Sequence, residues 1–285
     1  MKFFAYFLTT ALMLGLPTSA EVPTPSADLM TMTQDARCRQ VLVTCLVGGE
    51  PLRMLLDTGA SHTVLHKDSA AKLKNVHRPD ISMLQFKGNA RQRPELLTGT
   101  LQAGALTLPE HTCLVMDLTP VRAAMATPPD GILGMDVLGI LPFTFDQRNS
   151  TFYWGLPKKA QGVQMNGRPD RFGRLIVEAE CRGKKLELLL DSGSTVTRMP
   201  ADLWSAGVEK TTTVQVGDVN CDTHLQVQLG KPADLAVAPG VVLSAVQPVL
   251  TPGQPPILGM DSLRGVALVH VPVKGSSCGV FYVVK

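Results

Sequence analysis

The sequence predicts an all-β protein built as two tandem lobes. Three observations carry this reading. Glycine (25) and proline (21) are plentiful, which favours many short strands joined by turns over long helices. A stretch of the first half recurs in the second without a gap. Each half then closes on a hairpin signature.

The first twenty residues stand outside that plan. Lys2 precedes an apolar run from Phe3 to Leu16, followed by Pro17 and the small residues Thr18-Ser19-Ala20. This order is that of a secretory signal peptide cleaved after Ala20. The run is too short to cross a bilayer core of roughly 30 Å as a helix, so the mature chain is expected to be exported without stable membrane insertion. At 45% hydrophobic residues the whole chain has ample material for a core, and its net charge of +3 gives no basic surplus of the kind nucleic-acid binders concentrate.

The repeat begins with Val41 to Gly59, which aligns with Leu175 to Gly193 at an offset of 134 residues. Each copy reads as a strand, a Gly-containing turn and a more apolar strand ending in Asp-Thr/Ser-Gly. Further on, Ile132-Leu133-Gly134-Met135-Asp136 recurs as Ile257-Leu258-Gly259-Met260-Asp261. These elements start 75 residues after Asp57 and 66 after Asp191, the same order at similar spacing. The resulting plan is a signal peptide at 1–20, a short segment at 21–38, a first lobe at 39–156, a linker at 157–173 and a second lobe at 174–285. Within the first lobe, Thr98–Leu108 and Thr112–Leu118 read as strands around a Pro109-Glu110 turn. Phe143–Phe145 and Thr151–Trp154 form a hairpin, matched by Val266–Val273 and Gly279–Val284 in the second lobe. Helix is expected only as a turn or two capped by Asp136 and by Asp261.

The chemistry lies in the two Asp-x-Gly turns, Asp57-Thr58-Gly59-Ala60-Ser61 and Asp191-Ser192-Gly193-Ser194-Thr195. A carboxylate at the end of an apolar strand is costly to bury unless donors surround it. Glycine lets the backbone turn back on the carboxylate, and small hydroxyl residues supply donors without filling the space.

These residues resemble the pepsin/retropepsin superfamily of aspartic proteases, through the Asp-Thr/Ser-Gly signature and the later apolar-apolar-Gly element, each once per lobe. The short lobes and the Leu-Gly-Met-Asp wording are more similar to bacterial retropepsin-like proteases than to pepsins, with both lobes in one chain. The resemblance implies a bilobal acid-protease fold of two β-barrel lobes, with Ile132-Leu133-Gly134 and Ile257-Leu258-Gly259 packed beside the catalytic turns. It further implies an aspartic endopeptidase with catalytic Asp57 and Asp191, supported by Thr58, Gly59, Ala60, Ser61, Ser192, Gly193, Ser194 and Thr195. No cofactor and no metal would be needed, the partner would be a polypeptide substrate, and the enzyme would be a monomer in the periplasm. The alternative is a catalytically silent peptide-binding pseudoprotease of the cell envelope.

Two carboxylates roughly 3 Å apart cannot both ionise, so such a pair shares one proton; aspartic proteases are the standard example. Thr58 and Ser192 are expected to hydrogen-bond across the lobes. A Ser194 hydroxyl bonded to Asp191 would leave Asp57 as the proton holder. No Tyr or Trp lies between His66 and Phe152, so a pepsin-type flap tyrosine is missing. Phe86-Lys87-Gly88-Asn89 and Val216-Gly217-Asp218 are candidate flap tips instead. The stretch from Glu21 to Cys38 is too short for a pepsin-length prosegment.

His62 and His66 have the spacing of helical metal ligands, but a strand expected there would place them roughly 13 Å apart. No Gly-x-Ser-x-Gly elbow offers another nucleophile. The six cysteines divide three and three between the halves. Export makes disulfides plausible, and with an odd number per lobe either one bridge joins the lobes or two thiols stay free.

Overall fold

A computed structural model describes residues 28–30, 32–79, 95–149, 151–157, 162–218, 221–273 and 279–284. The proposed signal peptide and the Phe86–Asn89 flap candidate lie outside the described residues. The architecture is all-β and bilobal. Each lobe is organised around one long hairpin whose second strand delivers the Asp-x-Gly turn.

In the first lobe, Val41–Val47 pairs antiparallel with Glu50–Leu56, Leu42 facing Leu55. Gly131–Leu133 runs parallel beside the second strand, with Leu55 facing Ile132, and Val64–His66 pairs with its other edge. Leu46 of the first strand also faces Gln102, which curls the eight-stranded sheet back on itself. The second lobe repeats the plan. Leu175–Cys181 pairs with Lys184–Leu190, Ile257–Leu258 runs parallel to the latter, and Arg198–Met199 lies beyond it in a ten-stranded sheet. Leu56, Leu133, Leu190 and Leu258 are fully buried, so each turn is anchored where its strand and the parallel neighbour enter the core.

The terminal hairpins do not stay in their own halves. Phe143–Asp146 pairs antiparallel with Ala267–Pro272, giving a six-stranded sheet of strands from both halves. Val163–Gln164 joins its edge, and Gly167–Pro169 pairs with Leu175–Cys181, so strands occupy the stretch read as linker. A shared sheet with interlocked Phe143, Phe152 and Phe281, all fully buried, fastens the halves together.

Two local readings are corrected. The turn after the strand at Glu95–Ala103 is at Gly104, whose φ of 56° favours glycine, while Pro109 and Glu110 lie inside the strand Leu106–Met116. There they form a bulge opposite Thr100, where the missing proline N–H is tolerated. Asp136 does not cap a helix. The short helix Met135–Leu138 starts from Gly134 with no side-chain cap, and Asp136 in its first turn holds Thr63 instead. The stretch after Met260 forms turns alone, and Asp261 holds Thr197.

The cysteines are corrected too. Cys38, Cys45, Cys113 and Cys181 are free thiols, and the last three are buried. Burial pushes the Cys45 thiol up to about 12 and Cys113 higher still, as expected of inert core residues. Cys278 lies outside the described residues. Among the described residues no helix is long and apolar enough to cross a membrane.

His270 is the least comfortable group in the shared sheet. It is fully buried, stacked at 5.0 Å on Phe143 and packed at 4.9 Å on Phe281, and its Nε2 has no partner. Burial lowers its pKa to about 4, so the unfolded chain binds a proton that the folded chain refuses as pH falls from 6.5. Stability should therefore decline by about 3 kcal/mol between pH 6.5 and 4 through this residue. Urea titrations across that range should show the decline in wild type and a correspondingly flatter profile in His270→Leu.

Candidate active site

The strand Glu50–Leu56 ends against Leu133, whose carbonyl accepts the Asp57 N–H at 3.1 Å. The strand Lys184–Leu190 ends against Leu258, whose carbonyl accepts the Asp191 N–H at 3.1 Å. Each apolar-apolar-Gly element then grips the turn beside it. Met135 N–H donates to the Ala60 carbonyl and Met260 N–H to the Ser194 carbonyl, both at 2.9 Å. Behind the turns, Thr63 Oγ1 accepts from Gly134 N–H at 3.2 Å and donates to Asp136 at 2.8 Å. Thr197 Oγ1 repeats this with Gly259 at 3.1 Å and Asp261 at 2.8 Å. Neither threonine stood out in the sequence, although both occupy matching positions of the repeat.

The two turns meet. Thr58 N–H donates to Ser192 Oγ at 2.9 Å, and Ser192 N–H donates to Thr58 Oγ1 at 3.0 Å. Thr58 Oγ1 donates to the Leu190 carbonyl at 3.0 Å, and Ser192 Oγ to the Leu56 carbonyl at 2.9 Å. All four bonds are buried and all four cross between lobes. A Cβ on Gly59 would collide with the Asp191 carboxylate, and one on Gly193 with that of Asp57. Glycine is thus required on each side so that the other side's aspartate can fit.

A second reciprocal pair surrounds the first. Gln40, just before the first strand of its lobe, donates to the Gly193 carbonyl. Arg174, at the matching place in the second lobe, donates to the Gly59 carbonyl at 3.0 Å. Asp170 orients Arg174 through bonds of 2.6 and 2.8 Å. Sequence reasoning passed over both residues, whose shared position is visible only once the repeat is extended upstream.

The carboxylates occupy this seam. Asp57 Oδ1 accepts from Gly59 N–H at 2.8 Å and Ala60 N–H at 2.9 Å. Burial, then the charge of Asp191 and a hydrogen bond to it, push Asp57 well above the usual carboxylate range. Burial also raises Asp191, opposed by the bond from Asp57, the charge of Arg198 and the N–H groups of Gly193 and Ser194. Asp191 Oδ1 is buried without a partner.

The remaining candidates take quieter places. Ser194 Oγ donates to the Val196 carbonyl at 2.8 Å, so it does not donate to Asp191 as expected. Its hydroxyl is turned along its own loop. Ser61 Oγ pairs with His62 Nδ1 at 2.9 Å, and Thr195 is half-buried in its turn. His66 lies buried in a strand, its Nδ1 accepting from Leu118 N–H, while His62 packs against Phe172. Among the described residues, no three His, Cys, Asp or Glu side chains gather as a metal site.

Residues 43–137, which hold the Asp57 turn, Thr63 and the Ile132-Leu133-Gly134 element, match the aspartyl protease family. The match spans most of the first lobe, which is similar to aspartyl protease domains over those residues. A comparison with curated proteins gave no match. The matched lobe faces a second lobe that reproduces its hairpin, its parallel apolar-apolar-Gly strand and its threonine–aspartate anchor.

Replacing Thr58 by Val removes the acceptor of Ser192 N–H and the donor to Leu190, leaving two buried backbone groups unpaired. This should cost about 1–3 kcal/mol for each. Urea unfolding should show that loss, while Thr58→Ser should recover most of it.

Proposed function

We propose that the chain is an aspartic endopeptidase that hydrolyses peptide bonds with a water activated by Asp57 and Asp191. The observation that supports this most directly is that two buried carboxyls meet at the seam, the Asp191 carboxylate beside Gly59 and the Asp57 carboxylate beside Gly193, with Asp57 held by the N–H groups of its own turn. A pair so placed holds one proton over a wide pH range. The ionised member accepts a proton from water as it attacks the scissile carbonyl. The protonated member donates to the developing oxyanion, and the same groups return a proton to the leaving amine.

The rest of the reading follows the sequence. The chain is exported, loses its first twenty residues and works in the periplasm as a monomer, because both aspartates are supplied by one polypeptide. The substrate is a polypeptide, and the hairpin Val208–Asp218/Cys221–Gly230, whose tip carries the Val216-Gly217-Asp218 flap candidate, leans on the helix Thr119–Ala124 of the first lobe.

Full-length protein and its Asp57→Asn and Asp191→Asn variants should be assayed on a peptide library at acidic and neutral pH. Wild type should cleave, and each variant should lose about 10³-fold or more. Cleavage surviving in both variants contradicts the mechanism, and binding without cleavage by wild type would mark a pseudoprotease.

A second outcome does not depend on turnover. Because the folded pKa of Asp57 is raised, the folded state resists losing a proton that the unfolded state gives up freely. Stability from this group is present below the ordinary carboxylate range and declines as pH rises. Asp57→Asn keeps an Oδ1 that accepts both N–H groups and should raise the melting temperature at pH 7, with the gain vanishing near pH 3.

A further inference from the structure

The two halves of the site are closely symmetric in hydrogen bonding and unlike at one rung of the sheet. In the first lobe, Leu55, Ile132 and Val64 lie side by side on three neighbouring strands. Residues facing one another across strands share a face, and Leu55 and Asp57, two apart, lie on that same face. Leu118, Val121 and Met125, in and around the helix Thr119–Ala124, close over this rung as a small apolar cluster.

In the second lobe the same rung is Leu189, Ile257 and Arg198. Arginine stands where the repeat has Val64, on the face that carries Asp191. The covering helix is also missing: Thr251 to Pro256 alone connect Val249–Leu250 to Ile257–Leu258, without helix. This accounts for most of the shorter spacing of the second repeat. The rung that is sealed by hydrocarbon in one lobe is therefore half-open and charged in the other.

Arg198 has no carboxylate within ion-pair distance among the described residues, and its Nε is buried and unpartnered. A buried donor of that kind is costly unless a nearby negative charge offsets it. The charged groups around Asp191 are few. Asp57 faces it across the lobes, and Arg198 approaches from its own sheet. Arg174 is engaged by Asp170 and the Gly59 carbonyl, and Asp261 by Thr197 and Ser262.

We propose that Arg198 is a positioning residue that polarises the dyad, holding Asp191 as the ionised member that activates water and leaving Asp57 to carry the shared proton. The proposal rests on the protease reading for its catalytic meaning, but the polarity of the pair exists whether or not the protein cleaves. It replaces the Ser194 hydroxyl, which bonds Val196, as the source of asymmetry. A guanidinium near a carboxylate, without direct contact, lowers the first proton loss of a coupled pair by about one pH unit.

The test compares wild type with Arg198→Val, which restores the residue of the other lobe, Arg198→Gln and Arg198→Lys. Two readouts are taken on the full chain: the acid limb of kcat/KM against pH, and the titration of the aspartate carboxyl carbons by NMR, assigned with Asp57→Asn and Asp191→Asn. Arg198→Val and Arg198→Gln should move the lower titration step and the acid limb upward together by about one unit, and Arg198→Lys should stay close to wild type. If the NMR step moves although no peptide is cleaved, the polarity stands and the protease reading fails. If both uncharged variants fold and neither readout moves, the proposal is overturned. A shift in Arg198→Lys as large as in Arg198→Val would overturn it equally, since charge would then not be the cause.

Discussion

Two carboxylates set at the ends of apolar strands must be kept close although they repel and although burial disfavours both charges. The structure meets this constraint with the reciprocal Thr58–Ser192 lattice, in which each turn supplies donor and acceptor to the other. Thr58 N–H donates to Ser192 Oγ and the Leu56 carbonyl accepts from it, both across the lobes. Those groups are completed only when the second lobe is docked, so assembly of the site and satisfaction of its backbone are one event. The Gln40 and Arg174 contacts and the shared six-stranded sheet hold that docking at progressively greater distance from the carboxylates.

The symmetry has a physical limit. Identical environments would leave the shared proton equally placed on either aspartate, while a directed reaction needs one base and one acid. The second lobe breaks the balance where its covering helix is missing. A position sealed by a helix in one lobe is only half-buried in the other, and Arg198 occupies it. The same sheet holds the opposite solution at His270, where burial among aromatic rings keeps an ionisable group neutral. Acid that would help protonate the dyad therefore works against the sheet that fastens the halves.

Much of this was legible in the sequence because duplication writes each feature twice. The Asp-x-Gly turns, the apolar-apolar-Gly strands and the terminal hairpins all stand at matching positions, and the strand period of two marks their buried faces. What escaped was set by contacts between distant segments. Phe143–Asp146 pairs with Thr151–Trp154 as its hairpin predicts, but its residues give no sign that its other edge takes Ala267–Pro272 of the other half. Asp136 looks like a helix cap until Thr63 is seen beside it. Pro109-Glu110 reads as a turn because proline usually breaks strands, whereas a bulge absorbs it here and Gly104 makes the turn. Arg198 was visible as a departure from Val64, but its meaning depends on the rung it shares with Ile257 and Leu189.

The central claim is that the two lobes hold a pair of carboxyls bearing a single proton near neutral pH. Infrared spectra of aspartate-isotope-labelled full chain, differenced against an Asp57→Asn/Asp191→Asn double variant, test it directly. One protonated and one ionised carboxyl signal are expected at pH 6, both absent from the double variant. Two ionised signals at that pH, with no protonated band down to the ordinary carboxylate range, would contradict it.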